Sequence, residues 1–329
     1  MPEKVLAPRV LVVIVSTNDG HWLTPCLKAL SASTFRPAMV LVVENGCTDD
    51  TRCIAERTND VVRIIKTPKR LGFASCNNLA LRLAVENGYD YVYMLNPDTI
   101  VHNSAIEKLV GFLEQSPNYG VAGSLQFEYD AADWETLNTW SRITLEEAAG
   151  LGSYPRVYNG VRVLDHYYVQ GSALLMRSRL IEKIGMLDPV YRTFYEETDF
   201  CRRCRLSGHG VGLVMDSKVK HVGGGNWKRT PRQHRERDFL YLRNQFIYFL
   251  SLPQSENETL HAAVRLIYSQ LRIIHQKLDS VALPLWRYPS VLLAVLARVR
   301  EIAWLRKRNA QIIAAVDRIA PELIAVGRD

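Results

Sequence analysis

The sequence predicts an α/β protein built on a doubly wound, mostly parallel sheet, with a helical C-terminal extension. Two patterns predict it. Four short apolar runs, starting at Val10, Val40, Val61 and Tyr91, are each followed by a turn-forming cluster and then by apolar residues at helical spacing. Strand, loop and helix in fourfold succession imply crossover connections, which belong to parallel sheets. The central runs are also apolar without alternation, as strands covered on both faces are.

The first run, Val10 to Val15, ends in Ser16-Thr17-Asn18-Asp19-Gly20, and Leu23, Cys26, Leu27 and Leu30 follow at i, i+3, i+4, i+7. The second, Val40 to Val43, leads into Glu44-Asn45-Gly46-Cys47-Thr48-Asp49-Asp50-Thr51, where Thr48 is expected to cap a helix with two aspartates in its first turn. Val61 to Lys66 is the third strand; Arg70 to Ala74 turns, and Ser75 to Glu86 is helical and closed by Asn87-Gly88. The fourth run, from Tyr91, stops at Asn96-Pro97-Asp98 because proline has no N–H to continue a ladder. It delivers Asn96 and Asp98 to the carboxyl edge of the sheet, where open α/β sheets bind ligands. Ile106, Leu109, Val110 and Leu113 mark the helix that follows.

Beyond residue 120 the alternation fades. Val121 to Phe127 reads as a strand, and Glu128 to Asn159, aromatic and charged without a period, as a long functional loop. Tyr167 to Met176 is strand-like and holds Gly171 and Ser172, while Ser178 to Ile184 is a short helix stopped by Gly185. Glu196-Glu197-Thr198-Asp199 opens a helix that runs through Leu206 to Gly208. Three carboxylates there either complement the helix dipole or form a site. Gly210 to Asp216 reads as a strand, Lys218 to Arg237 as a basic loop carrying His221, Gly223 to Gly225 and Trp227, and the chain from Phe239 onward as helix.

With 329 residues and 47% hydrophobic content the chain buries a real core. The six cysteines lack the spacing of a disulfide framework, which indicates a reducing cytoplasm, and Cys201-x-x-Cys204 without a second pair reads as buried thiols rather than zinc ligands. A formal charge of +7 favours an anionic ligand or surface, and no nucleic-acid motif accompanies it. The first apolar run is too short for a signal peptide, and no stretch reaches the roughly 18 apolar residues of a membrane span. Residues 253–329 hold eleven Lys or Arg against seven acids, more than half of the net charge. Within them Ser290 to Arg308 has an aliphatic face interrupted by Arg298, Arg300, Arg306, Lys307 and Arg308. Such a helix suits either an anionic membrane surface or packing, including homo-oligomer packing, with a solvated basic face. A dehydrogenase is argued against, since Ser-Thr-Asn-Asp-Gly follows the first strand where Gly-x-Gly-x-x-Gly is required.

Taken together, the motifs resemble those of the family 2 glycosyltransferases over roughly residues 8 to 250. Val15-Ser16-Thr17-Asn18 is similar to the family's first nucleotide loop, and Val43-Glu44-Asn45-Gly46-Cys47-Thr48-Asp49 to its Asp-Asn-x-Ser-x-Asp signature, with Glu44 replacing aspartate. Leu71-Gly72-Phe73-Ala74-Ser75-Cys76-Asn77-Asn78 is similar to its Gly-Phe-Ala…Asn segment. Asn96-Pro97-Asp98 stands where its Asp-x-Asp metal motif belongs, and Phe194-Tyr195-Glu196-Glu197-Thr198-Asp199 resembles its catalytic segment. The resemblance implies a GT-A, nucleotide-diphospho-sugar transferase fold with a Rossmann-like sheet over residues 1–250. Its donor half would span about 8–120 and its acceptor half about 121–250, followed by a helical extension over 251–329.

The chemistry the resemblance implies is inverting transfer of a sugar from a nucleoside diphosphate to an acceptor hydroxyl. Glu197 would be the base, with Glu196 and Asp199 orienting the acceptor or its loop. Asp98 and His221 would hold Mg²⁺ or Mn²⁺ on the diphosphate. Val15, Thr17, Asn18, Glu44, Asn45, Gly72, Asn78, Asn96 and Asp98 would bind the nucleotide sugar. Lys228, Arg229 and Arg232 would clamp its diphosphate from the glycine loop or else form a solvated basic loop. Gly171, Ser172 and Trp227 would line the acceptor side. The motif variants look most like the rhamnosyltransferase branch, with dTDP-L-rhamnose as donor and a bacterial-type surface glycan or glycolipid as acceptor. UDP-galactofuranose or another UDP-hexose is the second donor expectation, and a non-catalytic carbohydrate or membrane adaptor is the reading from a different class. The expected place is the cytoplasm, with the inner face of its membrane as the alternative that the basic helices leave open.

Overall fold

The computed structural model describes residues 7–58, 61–158, 160–223, 230–252 and 288–326, with side chains of the last helix described to residue 315. The four apolar runs form β1 (Val10–Ser16), β2 (Met39–Glu44), β3 (Val62–Lys66) and β4 (Tyr91–Leu95), paired in parallel in the order β3-β2-β1-β4. Helices α1 (Gly20–Ser31), α2 (Thr51–Thr58) and α3 (Phe73–Glu86) make the crossovers. There follow β5 (Thr99–Val101), α4 (Ala105–Gln115), β6 (Tyr119–Glu128), α5 (Thr139–Gly150), β7 (Arg156–Tyr158), β8 (Val161–Asp165), β9 (Ala173–Arg177), α6 (Ser178–Ile184) and α7 (Glu196–Leu206). The described elements end with β10 (Gly210–His221), α8 (Pro231–Leu250), α9 (Tyr288–Leu296) and α10 (Val299–Val326).

Beyond β4 the sheet continues β9-β6-β10-β8-β7. The strand β9 lies antiparallel to both β4 and β6, while β10 runs parallel to β6. Alternate residues of the central strands enter two cores. Leu11, Val13, Val92 and Met94 pack toward α3, α6 and α7, whereas Val10, Val12, Ile14, Tyr91 and Tyr93 pack toward α1 and α4. Each strand thus buries side chains on both faces, which is why its sequence shows no alternation.

Several sequence expectations shift. The second helix starts at Thr51 with no acid in its first turn, and Asp49 Oδ1, not Thr48, accepts the Thr51 N–H at 3.2 Å. Thr48 instead donates its N–H to Asn18 Oδ1 at 2.6 Å. The third helix starts at Phe73, two residues early. Residues 128–159 are not one loop, since α5 forms there, capped by Asn138 accepting from the Ser141 N–H. The strand of the expected Tyr167–Met176 segment is confined to β9, Ala173–Arg177, so it starts six residues late and ends one residue beyond. The last strand extends to His221 and α8 begins at Pro231, so the expected basic loop shrinks between them. A register shift between Val214 and Lys218 bends β10 and hid its second half from pattern reading. Gly224, Gly225, Trp227, Lys228 and Arg229 lie outside the described residues. All six cysteines are free, and Cys201 and Cys204 are buried.

The C-terminal helices join the body through a buried charge cluster. Asp199, fully buried, accepts from Arg202 at 2.7 Å, Arg203 at 2.8 Å and, across from α10, Arg308 at 3.1 Å. Arg203 also caps the end of α6 by donating to the carbonyls of Ile184, Gly185 and Met186. Around it Tyr191, Leu242, Ile247, Val291, Val295, Ile302 and Leu305 form a third apolar cluster. Burial alone would raise the Asp199 pKa, but the three guanidinium groups hold it well below the ordinary 3.8. Asp199→Asn is expected to cost about 3–5 kcal/mol in urea denaturation, because it leaves buried guanidinium groups uncompensated. A depressed native pKa gives stability that is full above the unfolded value and is lost as pH falls through the folded one. The wild type should therefore lose stability below about pH 4, and Asp199→Asn should flatten that acid slope.

Candidate active site

The site lies where β4 ends. Pro97 closes the ladder, Asn96 N–H makes a last bond to Ser172 O at 2.9 Å, and the chain re-enters the sheet as β5 beside the end of β10. Thr99 is opposite His221, and the Val222 N–H donates to Asp98 O at 3.1 Å. Residues more than a hundred apart in sequence are thereby brought into contact. His221 Nε2 is 3.3 Å from Asp98 Oδ1 and 3.4 Å from Asn96 Nδ2, and both Asp98 and His221 are buried.

Gln126, which carried no sequence signal, organises this corner. Its Oε1 lies 2.9 Å from His221 Nδ1 and accepts from Asn138 at 3.2 Å, while its Nε2 donates to Ser172 Oγ at 2.6 Å. An amide oxygen facing Nδ1 is matched by a hydrogen on that nitrogen, so it is Nε2 that is directed toward Asp98. Asn96 Oδ1 is buried and meets no partner among the described residues. A carboxylate oxygen and an imidazole nitrogen 3.3 Å apart are donors of the kind that Mg²⁺ or Mn²⁺ would accept. These residues therefore fit one divalent ion, with Asn96 Oδ1 at hand for a bound water. Among the described residues no group of three or more His, Cys, Asp and Glu side chains could hold a metal, so most of the shell would come from ligand and water.

Glu196 and Glu197 occupy the first turn of α7. Glu196 is almost fully buried and Glu197 half-buried, and the Oε2 atom of each lacks a hydrogen-bond partner among the described residues. Burial pushes both carboxyls up, and for Glu196 the neighbouring Glu197 charge pushes further. Backbone N–H groups of Glu197, Thr198 and Gly171 partly offset this at Glu197. The pair consequently keeps a proton on the more buried Glu196 while Glu197, more open and better hydrogen-bonded, is the group that ionises. Gly171 lies against it, since a Cβ there would sit 3.3 Å from Glu197 Cβ. Burial raises the phenol pKa values of Tyr168 and Tyr241, neither foreseen from sequence, and the Glu197 charge adds to each as a lesser cause.

On the nucleotide side, Val15 is buried in β1 and Asn45 ties the loops together. Asn45 donates to Thr17 Oγ1 at 3.4 Å and to Leu71 O at 3.1 Å, and accepts from the Leu71 N–H at 2.7 Å. Asn18, at φ 60°, holds the Thr48 and Asp49 amides. Glu44 is buried at the end of β2, with Lys66 3.5 Å from Oε1 and no partner for Oε2 among the described residues. Two expected site residues are engaged in holding the fold. Asn78 exchanges both amide bonds with the backbone of Leu187, at 2.8 and 3.1 Å, and Asp199 belongs to the buried arginine cluster.

The family model for glycosyl transferase family 2 matches residues 11–184, more than half of the chain. The chain belongs to glycosyltransferase family 2. It is 27% identical over 242 residues to the N-acetylglucosaminyl-diphospho-decaprenol L-rhamnosyltransferase of Mycobacterium tuberculosis (strain H37Rv), covering 68% of this chain and 79% of that one. It is 24% identical to the O-antigen chain rhamnosyltransferase WbaN of Salmonella anatum, covering 70% of each. The fold matches the mannosyltransferase PcManGT of Pyrobaculum calidifontis, in complex with GDP-Man and Mn²⁺, at TM-score 0.57 and 16% identity, covering 97% of this chain and 88% of that one. It also matches TarS 1-349 of S. aureus in complex with UDP-GlcNAc at TM-score 0.58 and 13% identity, covering 95% and 92%. The fold is accordingly GT-A-like, and this family 2 member is a transferase resembling the rhamnosyltransferase branch.

A carboxylate base works only when ionised, and the Glu197 pKa is raised. With Glu197 as the base proposed below, the transfer rate would fall as pH drops through a value above the ordinary carboxylate range near 4.5, which a pH–kcat profile reads directly.

Proposed function

We propose that this protein transfers L-rhamnose from dTDP-L-rhamnose, with inversion, to a hydroxyl of a bacterial surface glycan or glycolipid. The observation that carries transfer chemistry is Glu197, whose Oε2 is without a partner among the described residues at the start of α7, beside Gly171. Its carboxylate takes the acceptor hydroxyl proton as that oxygen attacks the anomeric carbon. The bond from that carbon to the diphosphate oxygen breaks, and its electron pair stays on the nucleoside diphosphate. The donor sugar is supported by the rhamnosyltransferase names of the relatives and by the Asn-Pro-Asp variant of the metal motif. A UDP-hexose is the second donor reading, supported by the UDP-GlcNAc complex of a structural neighbour.

Asp98 and His221 would hold Mg²⁺ or Mn²⁺, with Gln126 fixing the imidazole, and a bound ion would supply positive charge for the leaving diphosphate. Gly72 and Glu44 belong to the nucleotide side of this proposal, and Gly171 and Ser172 to the acceptor side. We assign residues 1–250 to the transferase domain and 251–329 to the extension.

The extension also supports contact with an anionic bilayer. Leu293, Leu296, Val299 and Trp304 are each more than half exposed, and Arg300 and Lys307 are exposed beside them. Apolar side chains interspersed with cations match the chemistry of an anionic phospholipid surface. No helix among the described residues is long and apolar enough to cross a membrane.

Thermal shift with Mg²⁺ across dTDP-L-rhamnose, UDP-galactofuranose and UDP-hexoses should give the largest rise with dTDP-L-rhamnose, since bound ligand stabilises by mass action. Glu197→Gln should keep that shift while abolishing transfer, and chelation by EDTA should abolish transfer reversibly. Turnover by Glu197→Gln comparable to wild type would remove Glu197 as the base. Full-length protein should pellet with phosphatidylglycerol vesicles, and Leu293→Glu/Leu296→Glu should stay in the supernatant; equal pelleting would reject the bilayer contact in favour of self-association or cover by another part of the chain.

A further inference from the structure

The turn entering α7 has an unusual backbone. Arg192, Phe194 and Tyr195 have φ values of 63°, 72° and 71°, so three residues in four occupy the left-handed region without being glycine. Side chains disfavour that region, and such a turn persists only where surrounding contacts over-determine it. Tyr195 is the N-cap of α7, and Glu196 and Glu197 are the next two residues. The conformation of the turn therefore sets where both carboxylates point.

One side chain supplies most of the restraint. Asn244 of α8 is fully buried, and the two N–H groups of its Nδ2 are shared among the carbonyls of Tyr191, Thr193 and Phe194, each at 2.7 Å. Its Oδ1 is held in turn by Arg243 Nε at 2.9 Å and Nη2 at 2.6 Å, which fixes which end of the amide faces the turn. Arg243 Nη2 also donates to Val190 O at 3.1 Å and Tyr191 O at 2.9 Å. The far side of the turn touches the nucleotide half: the Ala74 N–H donates to Arg192 O at 3.2 Å, and a Cβ on Gly72 would come within 2.5 Å of that oxygen.

We propose that Asn244 is a positioning residue for the transfer reaction. By collecting three carbonyls of the left-handed turn onto one amide, it holds Glu197 in place for the acceptor and ties α7 to the Gly72 loop. It touches neither substrate nor the reacting atoms. The inference rests on the reading of Glu197 as base, and it adds a residue on α8, more than forty positions downstream, that no motif marks.

The test compares wild type, Asn244→Ala and Asn244→Ala/Arg192→Gly in full-length protein, with dTDP-L-rhamnose and N-acetylglucosaminyl-diphospho-decaprenol as substrates. Asn244→Ala should lower kcat by roughly 100-fold, the scale of a 1 Å misplacement, with KM for the donor changed little. Relaxation of the turn admits water to Glu197, which also faces Glu196, Tyr168 and Tyr241, so the acid limb of the pH–kcat profile should move down toward the ordinary carboxylate range. Glycine at exposed Arg192 accepts the left-handed conformation without a Cβ, so the double variant should regain part of kcat. A role confined to packing would lower the melting temperature without moving the pH limb and without that recovery, and such a result would overturn the proposal, as would unchanged kcat. Should Asn244→Ala not fold, Asn244→Ser, which keeps a hydroxyl donor, carries the same comparison. If wild type transfers nothing from any nucleotide sugar, the base assignment fails separately. Amide exchange then decides the positioning role: faster exchange over residues 193–199 in the variant supports it, and unchanged exchange overturns it.

Discussion

The constraint on which this structure depends is that α7 must be held rigidly although its first turn carries three carboxylates. Asp199 answers it by facing inward to three guanidinium groups, two from its own helix and one from α10. Removing one partner from such a cluster is costly because the remaining charges have no water to turn to. The cluster thereby fixes the axis of α7 and the seat of the C-terminal helices together. It also separates the roles of neighbouring acids, since Asp199 is stabilised as an anion whereas burial disfavours the charged forms of Glu196 and Glu197.

With the axis of α7 fixed, the functional geometry reduces to two corners of one sheet edge. One is the Asp98–His221 corner, oriented by Gln126; the other is the Glu196–Glu197 turn, held against Gly171 and flanked by tyrosines. Ser172 links them, because it accepts from Gln126 through its hydroxyl and from the Asn96 N–H through its carbonyl, one residue after Gly171. The two corners are thus joined through short, buried hydrogen bonds.

Much of the chain is legible in its sequence because the causes are local. The buried runs at Val10 and Tyr91, the stop at Pro97 and the helices closed by Gly88, Gly185 and Gly208 follow from periodicity and backbone preference. Pattern reading failed where a tertiary partner overrode the pattern. The bend in β10 is stabilised by Ser217 donating to Ala105 O, a residue of α4, and α5 packs beneath β6 within a stretch lacking clear amphipathic period. The Asn78 amide closes on Leu187, 109 residues away, a partner that no local spacing marks.

The sequence alone thus determined the order of strands and helices from β1 to β4, the carboxyl edge at Asn96 to Asp98 and the acidic opening of α7, since each is written in neighbouring residues. Only the tertiary structure decided which of those acids is buried among arginines, which nitrogen of His221 is turned toward Asp98, and that Asn244 braces the turn before Glu196. Those outcomes depend on hydrogen bonds between side chains and backbone far apart in the chain, whose geometry no local spacing encodes.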